Sequence, residues 1–161
     1  MADDTKSATQ RHEGDLVNGV PTRYGLNVAE ATVEVAAAAS AGSVYTMLRI
    51  PTAARISDLS RLRIDDLAST GAPLLDVGFA AVAGNITTDT TDLSASAITA
   101  ATAGDYAIIQ DTANAGKYAW EYTSATTDPG GFLDLIITIT DAATNTGGTM
   151  TLSLVYTFDG S

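Results

Sequence analysis

The chain has 161 residues, 45% of them hydrophobic and 17% charged, with a formal net charge of −11, one histidine and no cysteine. This length fits one domain, alone or with a tail, and the composition is that of a folding chain rather than a disordered one. The acidic balance argues against a general nucleic-acid binder, whose affinity rests on Lys and Arg against phosphates, and the missing cysteines exclude disulfide scaffolds, thiolate zinc sites and cysteine nucleophiles.

No run approaches the roughly 20 apolar residues of a spanning helix, so no membrane partner is expected. The opening MADDTKSATQ has no basic start followed by an apolar stretch, and no secretory leader is expected either. Ala and Thr dominate, while Glu and Lys, the usual residues of surface helices, are scarce. Thr, Val and Ile suit a pleated, half-buried surface, which predicts an all-β chain.

Residues 1–28 read as an N-terminal arm and residues 29–161 as a β domain. The arm holds the only histidine, His12, and has almost no apolar periodicity. So polar a segment cannot bury itself on its own apolar surface. The alternatives are a solvated tail or an arm held by a neighbouring subunit. From residue 29 the apolar residues recur with the period of strands. Thr32 to Val35 alternates, and residues 44–50 form a second strand that Pro51 ends for want of a donor. Arg61 to Asp65 alternates cleanly, but Ile56 and Leu59 upstream have opposite parity. That predicts a strand with a bulge near Asp58 and Leu59 rather than a helix.

Leu75, Val77, Phe79 and Ala81 share one face of a further strand. Residues 84–92 read as a polar loop, and residues 93–103, rich in alanine, as a short helical turn that Asp92 can cap. Residues 106–110 and 117–123 read as strands. Leu133, Leu135, Ile137 and Ile139 face one way on a later strand, as do Met150, Leu152, Leu154, Tyr156 and Phe158 on the last. Asp128-Pro129-Gly130-Gly131 precedes this pair, and Asn145-Thr146-Gly147-Gly148 between the two supplies positive φ for a reversal. Seven or eight short strands with spaced turns predict a single β-sandwich or jelly-roll-like barrel.

Reactive chemistry is scarce. A Ser-His-Asp arrangement would need His12, far from the predicted scaffold. No phosphate loop, dinucleotide fingerprint or paired-histidine motif occurs. Asp65-Asp66 and Asp89-Thr90-Thr91-Asp92 carry oxygen ligands for calcium, but without the spacing of a twelve-residue calcium loop. Trp120 alternates with Tyr118 and Tyr122; core packing accounts for it more simply than a sugar-stacking platform. No enzyme, cofactor or metal is expected.

Charge is less evenly spread. Arg49, Arg55, Arg61 and Arg63 are half of all basic residues and fall within fifteen positions. Guanidinium groups favour bidentate pairing with carboxylates and are enriched at protein interfaces. Arg61 and Arg63 share one strand face, opposite Leu62 and Ile64. Either they are solvated and pair with Asp58, Asp65 and Asp66, or they form a contact stripe against an acidic neighbour such as a second copy. With Arg11, Arg23 and Tyr24 of the arm, they are the candidate interface to another subunit or to a larger protein assembly.

Several segments carry a resemblance: residues 41–51 (AGSVYTMLRIP), 54–57 (ARIS), 65–71 (DDLASTG), 114–121 (NAGKYAWE), 128–131 (DPGG) and 141–149 (DAATNTGGT). They are similar to small virion structural proteins of tailed bacteriophages, in particular capsid decoration (cement) proteins, over about residues 29–158. The matching residues belong to the scaffold and its turns. The resemblance implies a β-rich homotrimer on the outer surface of an icosahedral head. Its partners would be the major capsid protein and copies of itself, with no direct contact to nucleic acid, and its role would be to brace the shell against packaged DNA. The alternatives are a trimeric receptor- or carbohydrate-binding module of a tail fibre, or another head or tail component.

Overall fold

The computed structural model describes residues 5–7, 9–11, 25–81, 93, 98–123 and 125–158. Eleven strands are described: β1 (Thr5–Ser7), β2 (Thr9–Arg11), β3 (Leu26–Val35), β4 (Val44–Pro51), β5 (Ala54–Ile56), β6 (Arg61–Ile64), β7 (Leu74–Ala81), β8 (Ile98–Thr99), β9 (Gly104–Ala107), β10 (Phe132–Thr140) and β11 (Gly148–Phe158). They form a β-sandwich. One sheet has the order β1-β4-β10-β7-β8 and the other β2-β3-β11-β6-β9, with β5 also paired to β11. Every pairing is antiparallel except β1 with β4.

The two-residue alternation of β3 and β11 dictates which side faces the core. Ala29, Ala31, Val33 and Val35 are buried, as are Met150, Leu152, Leu154 and Tyr156, and in register Val33 lies opposite Met150 and Ala31 opposite Leu152. Leu133, Leu135, Ile137 and Ile139 of β10 and Leu75, Val77 and Phe79 of β7 supply the facing layer.

The expected bulge near Asp58 and Leu59 is present as a four-residue turn. Ile56 lies opposite Tyr156 and Arg61 opposite Ser153, so residues 57–60 face only Leu154 and Val155 of β11. Both main-chain groups of Val155 are still satisfied. Its N–H donates to the Ser60 hydroxyl at 2.9 Å, and its carbonyl accepts from the Ser57 N–H at 2.8 Å and the Ser60 hydroxyl at 3.1 Å. On either side of the interruption Ile56, Leu62 and Ile64 face the core.

Three expectations are corrected. Residues 117–123 do not form a strand: after a single bridge from Arg55 to Tyr118, the chain curls into a 3-10 helix at Ala119–Tyr122. Glu121 accepts the Tyr118 N–H at 2.7 Å and Thr123 Oγ1 donates to the Trp120 carbonyl at 2.7 Å, so local side chains outbid the ladder. Trp120 is half-buried, while Tyr122 is buried and packs on Phe79 with ring centroids 5.9 Å apart. Residues 93–103 show no helix where they are described. Ile98–Thr99 pairs with Leu74 and Leu75, and the Leu93 N–H donates to the Val77 carbonyl at 3.2 Å; Asp92 and residues 94–97 lie outside the described residues. The residues that pair are Ile98 and Thr99, whose β-branched side chains suit a ladder better than a helix. Gly147 and Gly148 do not supply positive φ; among the described residues between β10 and β11, Asp141 does, at 70°. Gly148 is glycine for another reason: a Cβ there would lie 2.8 Å from the Asp65 Cβ and 2.9 Å from Leu67 Cδ2. Gly130 and Gly131 do adopt positive φ, 71° and 87°.

Candidate interaction surface

The outer side of the β3–β11–β6 sheet is built from residues whose neighbours in sequence point into the core. Its central rows are Glu30, Ser153 and Arg61, then Thr32, Thr151 and Arg63, then Asp105 beyond Arg63 on β9. Threonine fills it because two branched hydroxyls fit side by side across strands. Thr32 and Thr151 Oγ1 atoms lie 2.9 Å apart, and either can donate.

Toward one end this face changes character. On β3 the outward parity that gives Glu30, Thr32 and Glu34 also presents Leu26 and Val28, which are 60% and 54% exposed. Val28 lies directly opposite Val155, the one apolar residue among the outward threonines and Ser153 of β11 between Thr149 and Thr157. Beside Val155, Leu59 stands 60% exposed at the tip of the 57–60 turn, its N–H held by the Ser57 hydroxyl at 3.2 Å. An apolar row thus crosses the sheet. Arg55, in register with Thr157, and Arg61, in register with Ser153, flank it.

The arginines differ in their surroundings. Arg55 lies over the Tyr118 ring at 4.7 Å from its centroid. Arg63 approaches Asp105 at 3.5 Å, with both side chains more than half exposed, a geometry that contributes little. Arg61 faces Ser153 and Ala107 across the ladder, and no ion pair reaches it among the described residues. Arg49 is elsewhere, on the outer side of the opposite sheet, where its guanidinium donates to both Asp134 oxygens at 2.7 and 3.0 Å. That hydrogen bonding to Asp134 raises the Arg49 pKa against the opposing effect of partial desolvation.

The structure therefore brings Arg55, Arg61 and Arg63 to one face and sends Arg49 to the other. Among the described residues Asp134 pairs with Arg49 and Asp105 with Arg63, while Asp58, Asp65 and Asp66 are engaged elsewhere. Asp65 instead accepts the Thr149 N–H at 2.7 Å and its hydroxyl at 2.8 Å, bonds that hold its carboxyl below the usual range. Asp66 accepts the Ala68 N–H at 3.1 Å and Asp58 the Ser57 hydroxyl at 3.3 Å. Among the described residues no group of three or more His, Asp or Glu side chains converges as a metal site. No helix among them is long and apolar enough to cross a membrane. Asp89, Asp92, His12, Arg23 and Tyr24 lie outside the described residues, and of Arg11 only the backbone, in β2, is described.

Leu26, Val28 and Leu59 are the surface residues that sequence reasoning missed. The signal was present in β3: leucine and valine at the parity where glutamate and threonine follow. Assigning residues 26–28 to the arm concealed it.

No protein-family model matches the chain, and no curated protein matches it. Solved structures do. A chain in the cyanophage Pam1 capsid asymmetric unit superposes with a TM-score of 0.52 at 15% identity, over 91% of this chain and 98% of that one. A chain in the capsid of Ralstonia phage GP4 gives 0.52 at 18% identity, over 88% and 90%. This sandwich is a fold found in phage capsids. In both comparisons the two chains are nearly coextensive, so the likeness concerns the whole molecule rather than a shared hairpin.

Proposed function

We propose that the chain is a bacteriophage head decoration (cement) protein, a non-enzymatic component that sits as a trimer on the outside of the icosahedral shell and braces it against packaged DNA. The observation that carries this reading is the coextensive likeness of its fold to chains in two phage capsid structures. In this reading residues 29–161 are the body and residues 1–28 the arm, although β3 already begins at Leu26. Arg55, Arg61 and Arg63, with Leu26, Val28 and Leu59, form the face that meets the major capsid protein or a neighbouring copy. Arg11, Arg23 and Tyr24 are proposed to extend that contact. Arg49, held by Asp134, is assigned a smaller part.

The chemistry of the face supports a contact. Exposed leucine and valine gain by leaving water, and flanking guanidinium groups favour a partner rich in carboxylates. Decoration works by mass action: a protein that binds the assembled lattice and not its dissociated subunits adds its binding free energy to the stability of the shell. Repetition over many symmetric positions makes a modest single contact consequential.

The test is to image particles assembled with and without the protein. Density missing from threefold positions on the head is the expected result. Density missing from the tail assigns the chain to a tail component and overturns the proposal.

A further inference from the structure

The two open sides of β3 and β4 are closed by a single run of chain. Thr5, Lys6 and Ser7 pair in parallel with Val44, Tyr45 and Thr46 on β4. One residue later Thr9, Gln10 and Arg11 pair antiparallel with Thr32, Ala31 and Glu30 on β3. Between Ser7 and Thr9 the run passes from one sheet to the other, and it covers three residues of each edge. An uncovered edge would present rows of unpaired N–H and C=O groups, a template for pairing with another chain.

Two features of this run bear on whose edge it covers. Its sequence, TKSATQR, has no apolar side chain larger than alanine, so its attachment rests on main-chain hydrogen bonds that any copy's edge offers identically. The connection is also far longer than its geometry requires. β2 ends opposite Glu30, only about 13 Å along the strand from the start of β3. Antiparallel neighbours of this kind are usually joined by two to five residues or so, whereas fourteen separate Arg11 from Leu26. A connection of that length can span up to about 45 Å.

We infer that residues 5–11 are an exchange strand: in the assembled protein each copy lays this run on the β3 and β4 edges of a second copy. Exchange preserves every bond of the closed chain and adds a tie between subunits, so an assembly gains cohesion from a segment that contributes almost nothing to its own core. The inference rests on the self-association part of the proposed function and is independent of attachment to a head.

The absence of cysteine makes the test direct. In the full-length chain, Thr9→Cys with Thr32→Cys marks the β2–β3 register, and Thr32→Cys with Thr151→Cys marks the β3–β11 register within one body. Each double variant is treated with a short bis-maleimide and run on a denaturing gel, and its mass in solution is measured by light scattering. Exchange predicts about tenfold more interchain product from the 9/32 pair than from the 32/151 pair. An assembled protein whose 9/32 pair closes within one chain overturns exchange and leaves self-association standing. Failure of the 9/32 pair to close while the 32/151 pair does closes the case against the strand lying on that edge, and overturns exchange as well. A monomeric mass overturns both exchange and the self-association it rests on.

Discussion

Arg49 and Arg61 are both exposed side chains next to buried aliphatic residues, on opposite outer faces of the same sandwich. Arg49 has a bidentate carboxylate across the ladder, and near it Ile136, on the same side of β10 as Asp134, is only 3% exposed. Arg61 has serine and alanine across the ladder, and near it Val28 and Leu59 stand more than half exposed. Arg49 is satisfied internally, whereas Arg61 stands in solvent beside exposed apolar surface. Arginine content alone does not mark a contact surface. What recommends the second face is Arg61, which no ion pair reaches among the described residues, beside hydrophobic residues that the strand alternation turns outward.

The largest expected effect comes from attacking that second face. Arg55→Glu combined with Arg61→Glu should weaken co-sedimentation with phage heads by about tenfold or more, since like charges then meet an acidic partner. Arg49→Glu should leave co-sedimentation nearly unchanged; a loss equal to that of the double variant would erase the distinction between the faces. Next in size, Leu26→Ser with Val28→Ser should reduce binding several-fold while changing urea-unfolding stability by about 0.5 kcal/mol or less per site, because neither side chain is buried. Arg49→Ala should do the reverse. It removes the Asp134 pair at a cost of at most about 1 kcal/mol, discounted because the guanidinium is half exposed, with binding retained.

The smallest effect belongs to the core beneath both faces. Tyr156 is fully buried, and its hydroxyl has no hydrogen-bond partner among the described residues. Tyr156→Phe should therefore be neutral or stabilising by up to about 1 kcal/mol in denaturant titration. Burial also pushes the Tyr156 phenol up to about 12 from its ordinary 10.0. The unfolded chain loses this proton near pH 10 and the folded one near 12. Stability is thus whole below pH 10 and declines as pH rises toward 12. The phenylalanine variant should show a shallower alkaline decline, with the remainder coming from Tyr122, whose phenol burial and the nearby Glu121 also raise.

The sandwich was legible because β10 and β11 carry continuous inward rows of large residues, Leu133 to Ile139 and Met150 to Tyr156, even though Ile136 breaks the alternation on the outer side of β10. The bulge was legible from the clash of parity between Ile56 and Leu59. The curl at Ala119–Tyr122 was not, since Tyr118, Trp120 and Tyr122 mimic a strand. The bonds that decide the matter, from Glu121 and Thr123 to nearby backbone, depend on geometry rather than on pattern. Gly148 looked like a turn glycine because Gly147 precedes it, whereas its role is to admit Asp65 and Leu67, more than eighty positions earlier in the chain. The pairing of Arg49 with Asp134 likewise crosses 85 positions and follows only from the β4–β10 register. Local alternation fixes faces; which charge meets which is a property of topology.

Hydroxyl-radical footprinting on free protein and on protein bound to phage heads compares the two faces in one measurement. Phe132, 38% exposed at the start of β10, reports on the Arg49 face, and Leu26, Val28 and Leu59 report on the other. Oxidation of those three should fall on binding while oxidation of Phe132 persists. Protection of Phe132 with continued oxidation of Leu26, Val28 and Leu59 would contradict the assignment of the contact surface, and no change at any of the four would contradict docking on the head.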